Sequence, residues 1–147
     1  MHYARWDADT VHDDVHADAV DHLGTDGGVL IEDETGFVKK GRASAGVQRQ
    51  CTGTAGRIEN SPVGAFLAYA TSRVRALFDR RLYLPGRSWC ADLERRQAAG
   101  IPETVQFATK PRLPWDMIAA ALDAGVQAPW VTGDEAYAQD PQLRADL

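Results

Sequence analysis

Two short acidic stretches follow strand-like apolar runs. Val29-Leu30-Ile31 leads into Glu32-Asp33-Glu34-Thr35-Gly36, and Trp130-Val131-Thr132-Gly133 leads into Asp134-Glu135. A carboxylate at the C-terminal end of a buried strand stands where open α/β sheets place their chemistry. Two of them on neighbouring strands would make a hard oxygen site for a divalent cation such as Mg²⁺. The other reading of the same residues is a pair of solvated strand caps, since buried carboxylates are costly unless paired or metal-bound. Side chains alternate along a strand, so Asp33 points opposite to Glu32 and Glu34. Strand physics alone does not say which face would hold a site.

Several elements must position these acids. Val11, Val15, Ala19 and Leu23 recur every four residues and predict a helix over 7–23, capped by Asp7 or Asp9 and stopped by Gly24. His12 and His16 lie at zinc-ligand spacing on that helix, with a polar helix face as the plainer reading. Strands are expected at Val29–Asp33, Val47–Cys51, Val63–Ala70 and Ala76–Leu84. The last three, joined by short connections, suggest an antiparallel meander. A short helix is expected at Ala91–Ala99 and a brief extended piece at Val105–Ala108. A clear helix follows at Pro111–Ala124, with Met117, Ile118, Ala121 and Leu122 as its apolar face. Trp130 and Val131 then form a buried strand, and Asp140-Pro141 starts a last helix. A helix between two strands is what parallel pairing requires. Trp89, Trp115 and Trp130 read as packing residues, Trp6 as an anchor for the first helix, and Asn60 as a turn cap before Pro62. The fold class is α/β with a mixed sheet.

The 147 residues, 44% apolar and 25% charged, suit one soluble domain with a real core. No apolar run approaches a membrane span, and the N-terminus lacks the apolar segment of a signal peptide. Cys51 and Cys90 lack CxxC spacing and read as cytosolic thiols. The net charge of −5 is uneven: residues 1–35 carry −9 and residues 36–59 carry +4. The second segment places Lys39, Lys40, Arg42, Arg49 and Arg57 just after the first acidic strand end. It reads either as a nucleic-acid patch or as a solvated loop. Gly36 to Arg42 has P-loop-like glycine spacing. It lacks the Lys-Ser/Thr pair that would hold phosphates and Mg²⁺, which excludes that motif.

More than pattern is present. Asp33-Glu34-Thr35-Gly36-Phe37-Val38-Lys39-Lys40-Gly41 resembles the first catalytic block of bacterial insertion-sequence transposases of the DDE superfamily endonuclease type. The likeness continues through Ala45–Gln50, Thr52–Asn60, Phe66–Ala70, Arg81–Pro85 and Phe107–Pro111. It ends in Trp130-Val131-Thr132-Gly133-Asp134-Glu135-Ala136-Tyr137. The resemblance implies an RNase H-like mixed sheet and a site of two aspartates and one glutamate. Asp33 matches the first aspartate and Asp134 the second. It implies two Mg²⁺ ions, which would activate a water or a DNA 3′-hydroxyl and stabilise the leaving oxygen. The implied reaction is phosphodiester cleavage and strand transfer in DNA transposition. Lys39, Lys40, Arg42, Arg49 and Arg57 would face the DNA backbone.

The chain departs from the family pattern. The third acid is expected well beyond Asp134, and Glu135, Asp140 and Asp146 do not stand in a matching context. Cys51 stands where an aromatic is expected, and Ala138 where a glycine is. The expectation is a partial catalytic domain over residues 1–147, its sheet incomplete, without the N-terminal DNA-recognition region and the third acid. Such a fragment of a bacterial, nucleoid-associated protein would bind Mg²⁺ weakly and cleave little. It would partner DNA, other copies of itself or an intact transposase. Two alternatives are a non-catalytic DNA-binding remnant and an unrelated small α/β binding domain.

Overall fold

The computed structural model describes residues 7–23 and 27–134. In chain order its elements are helix α1 (Ala8–Leu23) and strands β1 (Val29–Gly36), β2 (Gln48–Thr52), β3 (Arg57–Ser61), β4 (Val63–Ala70) and β5 (Arg75–Tyr83). A π-helical turn (Gly86–Cys90), helices α2 (Leu93–Ala98) and α3 (Arg112–Asp123), and strand β6 (Trp130–Thr132) follow. The main sheet has the order β5-β4-β1-β6. β4 is antiparallel to both β1 and β5, and β6 is parallel to β1. The result is a mixed α/β sheet flanked by helices, the arrangement of an incomplete RNase H-like fold. The helix expected from Asp140, Gly24, Glu135, Ala138, Asp146 and Trp6 lie outside the described residues.

Alternation along the strands explains the core. Leu30 of β1, Leu67 and Tyr69 of β4 and Phe78 of β5 are buried on one face, against Met117, Ile118 and Ala121 of α3 and Ala19 of α1. At about 25 cal/mol per Å² of apolar surface, each such side chain contributes roughly 1.5–3 kcal/mol. α3 ends cleanly because Gly125 takes φ +93. Gly125 N–H then donates to Leu122 O at 2.9 Å and Val126 N–H to Ala121 O at 3.1 Å. This Schellman turn reverses the chain and buries Val126. The return segment is tied to the start of β1: Gly28 N–H donates to Gln127 O at 3.1 Å, and Tyr69 Oη donates to the same carbonyl at 3.2 Å. A side chain at Gly28 would overlap the Tyr69 ring.

The structure differs from several expectations. The expected strand Val47–Cys51 is not part of a three-strand meander. It is β2, which pairs with β3 in a separate two-stranded sheet inserted between β1 and β4. The stripe on α1 is rotated: Val11 and Val15 are 42% and 55% exposed, while His12 and His16 face β5. His12 Nε2 lies 2.9 Å from Asp79 Oδ1, and the His16 ring packs on Phe78 at 4.3 Å. The two histidines therefore pack against the sheet instead of forming a zinc pair. Residues 105–108, expected as a brief extended piece, are irregular backbone that joins neither sheet. The nearby guanidinium of Arg96 takes the carbonyls of Pro102 and Val105, each at 2.8 Å, and so holds the turn that the Val105 N–H closes on Pro102 O at 3.2 Å.

Of the tryptophans, Trp89 is fully buried and anchors a second core with Val47 and Leu84. Its indole N–H donates to Val47 O at 2.9 Å. Trp115 is half-buried under the Arg112 guanidinium, 4.0 Å from its ring centroid. Trp130 is 71% exposed and is not a core residue, because its parallel partner Val29 also points away from the helices. Cys51 and Cys90 are free thiols.

The end of β1 packs tightly on the hairpin. A Cβ at Gly36 would overlap the side chain of Thr52, which is 1% exposed. Gly36→Ala should therefore destabilise the protein by about 1–3 kcal/mol through overpacking. The expected readout is a lower urea midpoint with an unchanged m-value.

Candidate strand-end acid site

The parallel register pairs Val29 with Trp130, Leu30 with Val131 and Ile31 with Thr132. Asp33 lies two residues past the last of these pairs on β1, and Asp134 two residues past it on the β6 side. Both are exposed. Asp33 Oδ1 accepts the Glu34 N–H at 2.8 Å, which holds the carboxylate close to its own backbone. Asp33 opens onto a shallow cavity of about 400 Å³ floored by Ile31, Phe66, Ala68 and Leu77. That is the face of the sheet opposite α1 and α3.

Glu32 shows what the sequence left open. It shares the helix-covered face with Leu30, is 3% exposed, and neither carboxylate oxygen has a hydrogen-bond partner. Burial, followed by the charges of Asp33, Glu34 and Asp134, raises its pKa from the usual 4.5 to about 8. Glu32 Oε2 lies 2.9 Å from where a Cβ on Gly133 would stand, so the glycine before Asp134 makes room for this carboxyl. Glu34, on the same face, is neutralised. Lys110 Nζ donates to its two oxygens at 2.9 and 3.1 Å, which ties the end of β1 to the start of α3.

The cationic stretch is braced instead of loose. Asn60 is not a turn cap: it sits in β3, and its amide donates to Lys39 O and Gly41 O, both at 2.8 Å. The Lys39 N–H donates back to Asn60 O at 2.8 Å. Arg95 reaches Arg42 O at 3.0 Å and Val47 O at 3.2 Å while its guanidinium lies 3.9 Å over Trp89. Lys39, Lys40, Arg42 and Arg49 are exposed around this loop. Arg49 pairs with Asn60 across the hairpin. Arg57 pairs with Thr52 at the hairpin tip, so strand alternation puts it on the other hairpin face. Its Nε lies 2.7 Å from Glu59 Oε1. The register thus gathers four of the five cations and sets the fifth apart.

A family model described as DDE superfamily endonuclease matches residues 1–147. The chain belongs to that family. Comparison with curated proteins found no match, and comparison with solved structures found none. The DDE superfamily endonucleases are a transposase-like nuclease family whose substrate is DNA and whose members generally use divalent metals. Among the described residues, no three His, Cys, Asp or Glu side chains are grouped to hold a metal. No described helix is long and apolar enough to cross a membrane. The donors at the strand ends are all carboxylate oxygens, which suit a hard cation, and the unpartnered oxygens of Glu32 lie behind them.

Sequence reasoning missed Lys110, Arg95 and the structural role of Asn60. Each acts on groups distant in sequence, and two of them act on backbone carbonyls that leave no mark in residue types. Glu32 carried a signal, since it shares strand parity with Leu30. Its raised pKa has a measurable consequence. The folded state holds a proton that the unfolded state releases above pH 4.5, so stability falls as pH rises from 4.5 to 8. In metal-free buffer this loss is on the order of 3 kcal/mol by pH 7. Glu32→Gln cannot titrate, and its urea midpoint should change much less than the wild type's between pH 5 and 7.5.

Proposed function

We propose that Asp33 and Asp134 are the first two acids of a DDE site, and that they bind Mg²⁺ beside a DNA phosphodiester. The observation that carries this reading is the β1–β6 register, which brings the two family-matched aspartates to equivalent positions past Ile31 and Thr132. In such a site the metal supplies activation of a water or 3′-hydroxyl and stabilisation of the leaving oxygen. The protein's part is positional. Asp33 is oriented by the Glu34 N–H. The Glu34–Lys110 pair cancels one neighbouring negative charge beside Asp33. The braced loop of Lys39, Lys40 and Arg42, with Arg49, holds phosphates by charge, whereas Arg57, on the other hairpin face and offset by Glu59, stands outside that contact.

The finer part of the proposal concerns activity. The two strand-end acids, with no third acid grouped with them among the described residues, would bind Mg²⁺ weakly and leave coordination loosely fixed, which supports the reading that this chain alone cleaves little. The chain is then a transposase fragment of the insertion-sequence kind that acts on DNA with an intact partner or with further copies of itself. A non-catalytic DNA-binding role is the second reading, favoured by the hydrogen bonds that pre-order the cationic loop.

The test is a calorimetric titration of Mg²⁺, and of Mn²⁺ as a tighter probe, into the protein without DNA. The wild type should bind at millimolar to sub-millimolar concentration. Asp33→Asn and Asp134→Asn should each weaken binding about tenfold or more, with nicking of supercoiled DNA near background for all three. Equal metal affinity in the wild type and both variants would remove the site.

A further inference from the structure

A second concavity, of about 770 Å³, lies beside β5, the edge strand of the main sheet, and no step of the strand-end site uses it. One wall is Arg80, Arg81 and Leu82 of β5. The other is the bent segment 99–108, which carries Ile101 and Phe107, and α3 contributes Arg112 and Asp116. Three arginines and one aspartate thus line one cleft. Arg112 Nε is held by Asp116 Oδ1 at 2.8 Å, and Arg81 lies 3.7 Å from Asp79. Among the described residues Arg80, which is exposed, makes no ion pair, so positive charge is left over for a ligand.

The cleft is built in advance. Arg96, 9% exposed, donates to the carbonyls of Pro102 and Val105 at 2.8 Å each and fixes the wall that carries Phe107. Phe107 itself remains 52% exposed and Leu82 43% exposed. Guanidinium groups beside exposed aromatic and apolar faces suit a ligand with both phosphates and open bases. Duplex DNA hides its bases and would use only the charges. Unpaired nucleotides use both.

The cleft also adjoins the strand-end acids. Arg80 is paired with Phe66 across β4–β5, and Phe66 with Asp33 across β1–β4. Arg80 and Asp33 therefore stand in one cross-strand row, two strand spacings or about 10 Å apart. Arg81, in register with Ala65, lies with Arg112 on the helix-covered face, so a strand engaged at Asp33 would meet Arg80 first and round the β5 edge into the cleft.

We propose that this cleft binds unpaired DNA nucleotides next to the strand-end acids, with Arg80, Arg81 and Arg112 on phosphates and Phe107 stacked on a base. The assignment deepens the DNA reading above and rests on it for the identity of the ligand. Each is tested separately, since Mg²⁺ titration without DNA does not involve the cleft.

The experiment measures binding of the full chain to a fluorescent single-stranded oligonucleotide and to a duplex of the same length, by anisotropy across a salt series. Phe107→Ala should weaken single-strand binding about 5- to 100-fold, the range expected for losing one stacked base, and leave duplex binding within twofold. Phe107→Trp should restore it. Arg80→Ala should reduce the single-strand salt slope by about 0.7, the value for one phosphate contact. Equal losses on both DNAs for Phe107→Ala, or no loss on either, would overturn the proposal. So would displacement of the single strand by poly-glutamate at equal charge concentration, which would mark a site for acidic protein.

Discussion

The parallel pairing of β1 with β6 is the constraint on which the rest depends. It spans three registered residue pairs, too few to hold by strand hydrogen bonds alone. The pairing persists because its two approaches are fixed from outside the strands. On one side, the Schellman turn at Gly125 aims the chain leaving α3. On the other, Gly28 and Tyr69 share the Gln127 carbonyl. A slip of one residue in β6 would turn Asp134 to the face opposite Asp33 and take Gly133 from beside the Glu32 carboxyl, which β1 keeps buried through its long pairing with β4.

Within that frame charge is distributed unequally among four acids. Glu34 has Lys110, Asp33 has its neighbour's N–H, Asp134 is exposed, and Glu32 has neither partner nor water-facing surface. Such an arrangement keeps one carboxyl neutral near pH 7 and leaves the negative charge at the strand tips. Removing a buried carboxylate's charge by protonation avoids the several kcal/mol that an unpaired buried ion would cost.

Much of this was readable before the fold was seen. β1, β4, α2, α3 and β6 announced themselves through β-branched runs, apolar periodicity and glycine stops, and Asp7 does cap α1 through the Thr10 N–H. β3 did not, because Arg57-Ile58-Glu59-Asn60-Ser61 has a single apolar residue and that residue is 58% exposed. Its strand character comes from pairing with β2, a non-local cause. The face of α1 was misread for a related reason: periodicity favoured the valines, whereas Asp79 and Phe78 offered the histidines specific partners. Residue type favours burial of Trp130, and only the register with Val29, visible in the fold, turns it outward. The two aspartates were placed by family likeness, and the spacing of strand and helix agreed with it. The third acid of the family pattern has no counterpart among the described residues.

The cationic loop hangs between two supports. Asn60 grips it from the hairpin, while Arg95 grips its far end from the small core around Trp89. A cable strung between two posts takes its span from the posts, not from its own slack. The spacing between the ammonium groups and Arg42 is therefore a gauge set by how the hairpin seats against Trp89. Whatever rocks one post relative to the other retunes which phosphate pitch the loop can follow.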